Sequence, residues 1–350
     1  MSHPRLSLAL DAPGALPPEG RIAVYRPLAD TDLSDLPKDR LHLIQGFAPD
    51  HAALAARGFD VAPEASGPYA AAVVFLPRAK AEARAILAEA CARVLPGGPV
   101  WVDGAKHDGV DSILRDLRKR VDVSSPIAKA HGKIFAFAAA PDALGDWQGQ
   151  EMAPAPGFVT GPGVFSADAV DRGSALLAAA IPDELPVRVA DLGAGWGWLS
   201  AQILARRGIE ELHLVEADHA ALEFARRNIS DPRARFHWAD ATRFAPEARF
   251  GAVVMNPPFH TSRAADPGLG AAFIRAAGAM LSLSGTLYMV ANRHLPYEDA
   301  LRAAFHEIEE IGGDGGFKVI RASKPIVGAA RPAAPAKPRV TRRRVSSARR

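Results

Sequence analysis

The chain has 350 residues, 48% apolar and 23% charged, which is the balance of a globular protein of about two domains. That balance excludes wholesale disorder, and no apolar run approaches the ~18 residues that a membrane helix needs. Cys91 is the single cysteine, so a disulfide or a cysteine-ligated metal site within one chain is excluded. With one arginine and no clear cleavage site in the first ten residues, no signal peptide is read, and a cytoplasmic location is expected.

From the N-terminus onward, short apolar runs alternate with helical stripes, the pattern of a parallel α/β sheet. Strands are expected at 22–25, 41–45, 71–76, 100–103 and 134–137. The Gly- and Pro-containing stretch 141–163 reads as a connection. Strands resume at 187–191, 212–216, 235–238, 252–255 and 286–291, and a helix is expected at 198–207. Leu269, Phe273, Ile274, Ala277, Met280 and Leu281 form one amphipathic face. Gly312-Gly-Asp-Gly-Gly316 separates runs at 306–311 and 317–322 and predicts a hairpin, hence an antiparallel edge on a mostly parallel sheet.

The halves resemble each other. Ala71-Ala-Val-Val-Phe-Leu-Pro77 parallels Gly251-Ala-Val-Val-Met-Asn-Pro257, and each precedes an apolar helix, a Gly turn and a further strand. The expected fold is α/β: two tandem Rossmann-like domains of one plan, made by duplication. The expected division is 1–145, a linker at 146–163, a second domain at 164–327 and a tail at 328–350. The net charge is +3, yet residues 315–350 hold eleven Lys or Arg and no Asp or Glu, so the remainder carries −8 once those eleven are removed. From Gly328 the chain is mostly Ala, Pro, Arg and Ser, too poor in apolar surface to offset the entropy of ordering, and it is expected to be a disordered basic arm. Such an arm attracts phosphate backbones, and its contribution weakens with salt.

Two motifs carry chemistry. Asp191-Leu-Gly193-Ala-Gly195-Trp-Gly197 runs a buried strand into a glycine turn and a helix. The spacing is Gly-x-Gly-x-Gly and not the dinucleotide Gly-x-Gly-x-x-Gly. A carboxylate at that strand end repels a pyrophosphate and suits a ligand with an ammonium, such as the methionyl part of S-adenosylmethionine. The next strand ends at Glu216, placed to accept both ribose hydroxyl protons, with Asp218 as the nearby competitor. Asp240, followed by Ala241, stands where an adenine amino group is expected. The second motif is Asn256-Pro257-Pro258-Phe259-His260 at the end of the strand at 252–255. Its prolines stiffen the turn, Asn256 offers an amide oxygen and Phe259 a flat face, a constellation that grips an amino group on a planar ring. The chemistry expected is direct displacement by that amino nitrogen on a sulfonium methyl, with Asn256 Oδ1 and the Pro257 carbonyl stabilising the developing positive charge. No metal is required.

The second half resembles class I S-adenosylmethionine-dependent methyltransferases of the Asn-Pro-Pro-Phe type. More narrowly, it is similar to the bacterial ribosomal RNA guanine-N2 methyltransferases of the small subunit. Pro162-Gly-Val-Phe165-Ser166 with Asp171 and Gly173-Ser174, Asn256-Pro-Pro-Phe-His260, and Val290-Ala-Asn-Arg293-His-Leu-Pro-Tyr297 carry that likeness. Asp103-Gly-Ala-Lys106-His-Asp-Gly109 and Lys129-Ala-His-Gly-Lys133 look like counterparts in the family's non-catalytic domain. The resemblance implies methylation of a guanine N2 in 16S ribosomal RNA, with S-adenosylmethionine as cofactor and ribosomal RNA or the small subunit as partner, and a monomer needing neither metal nor membrane. It implies catalytic residues Asn256, Pro257, Pro258 and Phe259. The cofactor residues are then Asp191, Gly193, Gly195, Gly197, Glu216, Asp240, Ala241 and Asn256. Large-subunit guanine-N2 enzymes share the duplicated plan, and DNA-adenine and protein-glutamine methyltransferases share the four-residue loop. The first half has Arg26-Pro27-Leu28 in place of the glycines and Leu76-Pro77-Arg78-Ala79 in place of Asn-Pro-Pro-Phe, so it is expected to brace the second half. Lys106, Arg115, Arg118, Lys119 and Arg120 are its candidate phosphate contacts.

Overall fold

The computed structural model describes residues 4–258 and 267–326. Each half builds a seven-stranded sheet. The first contains β1 (Ile22–Tyr25), β2 (Leu41–Ile44), β3 (Val61–Ala62), β4 (Ala71–Phe75), β5 (Pro99–Ala105), β6 (Ile127–Lys129) and β7 (Gly132–Ala138). The second contains β8 (Arg188–Leu192), β9 (Glu211–Glu216), β10 (Ala234–Trp238), β11 (Phe250–Met255), β12 (Leu281–Asn292), β13 (Phe305–Gly313) and β14 (Phe317–Pro325). The strand orders are the same, β3-β2-β1-β4-β5-β7-β6 and β10-β9-β8-β11-β12-β14-β13. In each sheet the last two strands pair antiparallel. The antiparallel finish expected for the second half therefore closes both.

Nine α-helices flank the sheets: α1 (Pro4–Leu10), α2 (Ala48–Ala56), α3 (Lys80–Arg93) and α4 (Val110–Leu117) in the first half, then α5 (Arg172–Ala180), α6 (Trp198–Leu204), α7 (His219–Asn228), α8 (Pro267–Met280) and α9 (Glu298–Ala304), counted among the described residues. Central strands are buried on both faces, which is why Ala71-Ala-Val-Val reads as a continuous apolar run. The helices bury one stripe each. Val110, Ile113, Leu114 and Leu117 of α4 are buried at helical spacing against the first sheet. The helix expected at 198–207 ends at Leu204.

Sheet register corrects the comparison of the halves by one residue. Tyr25 pairs with Ile44 and Val74, whereas Leu192 pairs with Val215 and Met255. Both sets face the helix-covered core holding α3 or α8. Val74 thus corresponds to Met255, and Phe75, not Leu76, stands where Asn256 does. The same register aligns Gln45 with Glu216 and Arg26 with Gly193. Arg26 keeps the turn's backbone path: its φ is +58° against +77° at Gly193, and its N–H reaches Ile44 O at 2.8 Å as that of Gly193 reaches Val215 O at 2.8 Å. The first copy has kept the bend and filled it with a long side chain, which pairs with Glu82 at 2.6 Å.

The halves meet at equivalent turns. Ala48 N–H donates to Ala217 O at 2.8 Å and His219 N–H to Gly46 O at 2.9 Å, around an antiparallel bridge between Phe47 and Asp218. The exchange is reciprocal, as an approximate two-fold requires. Trp238 Nε1 lies between both sides, 2.9 Å from Ala217 O and 3.1 Å from Gly46 O. Replacing Ala48 by proline removes one of these donors with little local cost. Phe47 already has φ −91° and ψ 112°, which a following proline tolerates, and Ala48 is the first residue of α2. The expected loss is about 1 kcal/mol, read as a thermal midpoint roughly 2–4 °C lower, with faster proteolysis at 141–163. An unchanged midpoint would assign the seam's strength elsewhere.

Candidate active site

The site is assembled where β8 and β11 end. After β8 the chain turns through Gly193, Gly195 and Gly197, with φ of +77°, +55° and +88°. Side chains rarely adopt these values, so the glycines are conformational requirements. A Cβ on Gly197 would stand 2.9 Å from Ile229 Cδ1 and 3.2 Å from Ala225 Cβ, so that glycine lets α6 pack on α7. A Cβ on Gly195 would meet nothing within 4 Å, so its bend leaves open space. Together with Phe165, Ser166, Asp171, Ser174 and Asn256, this turn lines one pocket.

Asn256 is held from two sides. Its Nδ2 donates to Asp171 Oδ2 at 2.7 Å and to Ser174 Oγ at 2.9 Å. Asp171 is also the N-cap of α5, accepting the Ser174 N–H at 2.8 Å. Asn256 Oδ1 is buried and has no partner among the described residues. Pro257 is buried and Pro258 exposed. Phe259 and His260 lie outside the described residues, as does the tail at 328–350.

Glu216 closes β9 and pins the glycine turn. Its Oε2 accepts the Gly195 N–H at 2.8 Å and its Oε1 the Asp218 N–H at 2.8 Å. Burial pushes its carboxyl pKa up, and burial does the same to Asp218. Asp218 caps α7 through Ala220 N–H at 2.9 Å. Asp191 departs from the expected exposure to ligand. It is wholly buried under the turn, its Oδ2 accepts the Ser200 hydroxyl at 2.6 Å, and its Oδ1 has no partner among the described residues. Burial, reinforced by the nearby Glu216 charge, pushes its pKa up to about 7. Asp240 stands two residues beyond β10 and turns Oδ1 back on Thr242, 2.8 Å from its N–H and 2.6 Å from its hydroxyl. Ala241 beside it is buried, and neither residue lines the pocket.

Two features escaped the sequence, the partner of Asn256 and the seam between the halves, while a third, Phe165, lies in the stretch 162–166 that carries the likeness. The bond from Asn256 to Asp171 links residues 85 apart, and only the helix-cap spacing Asp171-x-x-Ser174 was visible beforehand. Phe165 leaves 64% of its surface exposed beside the pocket, its carbonyl held by Trp196 Nε1 at 3.1 Å. The seam through Gly46 and Trp238 adjoins Glu216. Of the candidate phosphate contacts, Arg120 is engaged by Asp146 through two bonds of 2.6 and 2.7 Å. Lys106, Arg115, Arg118 and Lys119 are exposed and make no ion pair among the described residues.

Residues 156–321 match the Methyltransferase small domain family, and residues 42–134 its N-terminal domain. The ribosomal RNA small subunit methyltransferase C of Chromohalobacter salexigens is 31% identical over 276 residues, covering 76% of this chain and 81% of its own. That of Stutzerimonas stutzeri is 31% identical over 275 residues, with 75% and 82% covered. The chain belongs to the ribosomal RNA small subunit methyltransferase C family. A solved member, the T. thermophilus 16S rRNA N2 G1207 methyltransferase in complex with AdoMet and guanosine, superposes with a TM-score of 0.76 at 26% identity, over 92% of each chain. The whole two-sheet plan is therefore that of the family, and the chain is a methyltransferase. No helix among the described residues is long and apolar enough to cross a membrane.

Proposed function

We infer that this enzyme transfers a methyl group from S-adenosylmethionine to the exocyclic N2 of a guanine in 16S ribosomal RNA. The observation that carries the reading is the Asn256 amide, locked by its nitrogen and left with a buried, unpaired oxygen in the pocket beside the glycine turn. A buried acceptor without a partner costs roughly 1–3 kcal/mol, so the arrangement suits a ligand that brings a donor. A ring amino group is such a donor.

The residues fit the cofactor. Gly193 and Gly195 line the pocket and let the backbone approach it, and Gly197 seats the helix that follows. Glu216, Asp240 and Ala241, which stand at the neighbouring strand ends outside that pocket, are assigned to its ribose hydroxyls, its amino protons and its adenine edge. Burial pushes the carboxyl pKa values of Asp191 and Glu216 up, and a cationic ligand over the turn would favour their charged forms. When bound, the cofactor supplies an electrophilic methyl on a sulfonium. The chain's own work is to hold the guanine amino group. Asn256 Oδ1 and the Pro257 carbonyl accept its protons and favour a pyramidal, partly positive nitrogen over the flat, delocalised one. Phe259 is assigned to stack on the base. The proton lost from the nitrogen passes to solvent, with His260 the nearest candidate in sequence.

Under this reading residues 1–145 are a non-catalytic copy, 146–163 a linker, 164–327 the catalytic domain and 328–350 a basic arm. The enzyme acts on the small subunit or its RNA as a cytoplasmic monomer and without a metal. Both copies of the fold are already present in one chain, which leaves the seam satisfied internally. Removing residues 328–350 is expected to weaken RNA binding and flatten its dependence on salt, since each phosphate contact contributes a slope of about 0.7 on single strands. An unaltered slope, measured by filter binding from low to high salt, would make the arm irrelevant.

The decisive experiment supplies methyl-labelled cofactor with small subunits, large subunits, naked RNA, DNA or protein, and identifies the product by nucleoside and amino-acid mass spectrometry. N2-methylguanosine in 16S RNA is the expected product. Label in adenine, glutamine or large-subunit RNA would overturn the reading.

A further inference from the structure

An asparagine side chain can be turned over at little steric cost, because its oxygen and its NH2 are nearly the same size. For an asparagine that holds a ring amino group, the two orientations are chemical opposites. Oxygen toward the base accepts an N–H. Nitrogen toward the base sets donor against donor. Something must therefore choose the orientation, and the choice must survive while the site is empty of RNA.

The structure makes that choice with α5. An ionised carboxylate has no proton to give, so Asp171 can face only the NH2 of Asn256, and it does so at 2.7 Å. Ser174 Oγ, one turn further along the same helix, accepts from that NH2 at 2.9 Å. Asp171 is itself immobilised, because its Oδ2 also accepts the Ser174 N–H at 2.8 Å as the cap of α5. Both hydrogens of the amide are thus directed at acceptors, and Oδ1 is left as the only free group of the side chain among the described residues.

We propose that Asp171, assisted by Ser174, is a positioning residue for methyl transfer: it holds the Asn256 amide with Oδ1 toward the guanine amino group and polarises it. The proposal rests on Asn256 holding the base, as argued above. A hydrogen bond from an amide N–H to a carboxylate pushes electron density toward the amide oxygen, and such chains strengthen one another. The acceptor that results is most valuable when the base nitrogen becomes positive, which happens on the way to the transition state and not on binding. The charge of Asp171 therefore acts on turnover through Asn256, without touching the base.

The test separates this role from capping. Asp171→Asn retains an oxygen to cap α5, so the fold is expected to hold, with a thermal midpoint close to that of the wild type. It replaces the obligate acceptor by a group that no longer dictates the orientation of Asn256. With the full-length enzyme and small subunits or 16S RNA, kcat is expected to fall at least 30-fold, while KM for RNA and the cofactor Kd stay within twofold. Ser174→Ala, which keeps the cap intact, is expected to lower kcat about fivefold. Asn256→Asp alone sets two carboxylates face to face and is expected to be nearly inactive. Exchanging the pair, Asp171→Asn with Asn256→Asp, restores one donor and one acceptor between the positions and is expected to regain at least tenfold over the weaker single variant. A kcat of Asp171→Asn within threefold of wild type, or strictly additive losses in the exchanged pair, would reduce Asp171 to a helix cap. Asn256→Ala is the control. If that variant stays active, the reading of the site fails first. If it is inactive while Asp171→Asn is not, this inference alone fails.

Discussion

Replacing Asn256 by alanine is expected to lower the rate of methyl transfer by about 10²–10³-fold, the usual cost of removing one preorganised group aimed at developing charge. Cofactor affinity should change no more than a few-fold. The side chain is anchored to Asp171 and Ser174 on α5 and not to the glycine turn, so its removal leaves the turn's own bonds in place. The backbone of β11 and the buried Pro257 keep the loop's path without the amide. Single-turnover methylation of small subunits, beside calorimetric titration with S-adenosylmethionine, measures both quantities. A variant that still turns over at the wild-type rate would mean that the base is held by other groups. A variant that no longer binds cofactor would mean that the amide belongs to the cofactor's own cradle.

The second large effect is expected at Glu216. The first copy of the fold supplies the comparison. Gln45 occupies the equivalent place, takes the Phe47 N–H on Oε1 at 2.8 Å, and donates from Nε2 to Pro27 O at 2.8 Å. Glu216 takes the corresponding N–H of Asp218 on Oε1, but its other oxygen meets a donor, the Gly195 N–H. A glutamine there suits a turn that presents a carbonyl, and a glutamate suits a turn that presents an N–H. Glu216→Gln therefore sets NH2 against N–H at Gly195 and removes the charge that would accept two hydroxyl protons. Hydrogen bonds to a charged group are worth roughly 1.5–3 kcal/mol, so cofactor affinity is expected to fall about 10–100-fold. RNA affinity in the absence of cofactor should be unaffected. Unchanged cofactor binding in calorimetry would remove Glu216 from the cofactor site.

Much of this was legible beforehand because it is local. The strands expected at 22–25, 71–76, 212–216, 252–255 and 317–322 all form, within a residue or a few at their ends. Their apolar runs are long enough to be buried whichever way the sheet is assembled. The short edge strands Val61–Ala62 and Ile127–Lys129 were not legible. Two or three half-exposed residues carry no periodicity, and only pairing with a neighbour makes them strands. The duplicate alignment slipped by one residue for a related reason. Both β4 and β11 are apolar on each face, so the sequence there carries no alternation to set the phase, and side-chain facing was settled by the helices packed above.

By itself, the sequence determined that two α/β units stand in tandem, that one of them carries a glycine bend and an Asn-Pro-Pro-Phe turn, and that the charge is concentrated at the C-terminus. These follow from backbone preferences and burial acting over a few residues at a time. Only the tertiary structure decided that Asp171 faces Asn256 and that Gly46 faces Trp238, across separations of 85 and 192 residues. It also placed Asp191 beneath the glycine turn, where it holds α6 through Ser200. Those relations depend on how helices and sheets dock. Docking is set by the summed fit of many side chains, and no short stretch of the chain encodes it.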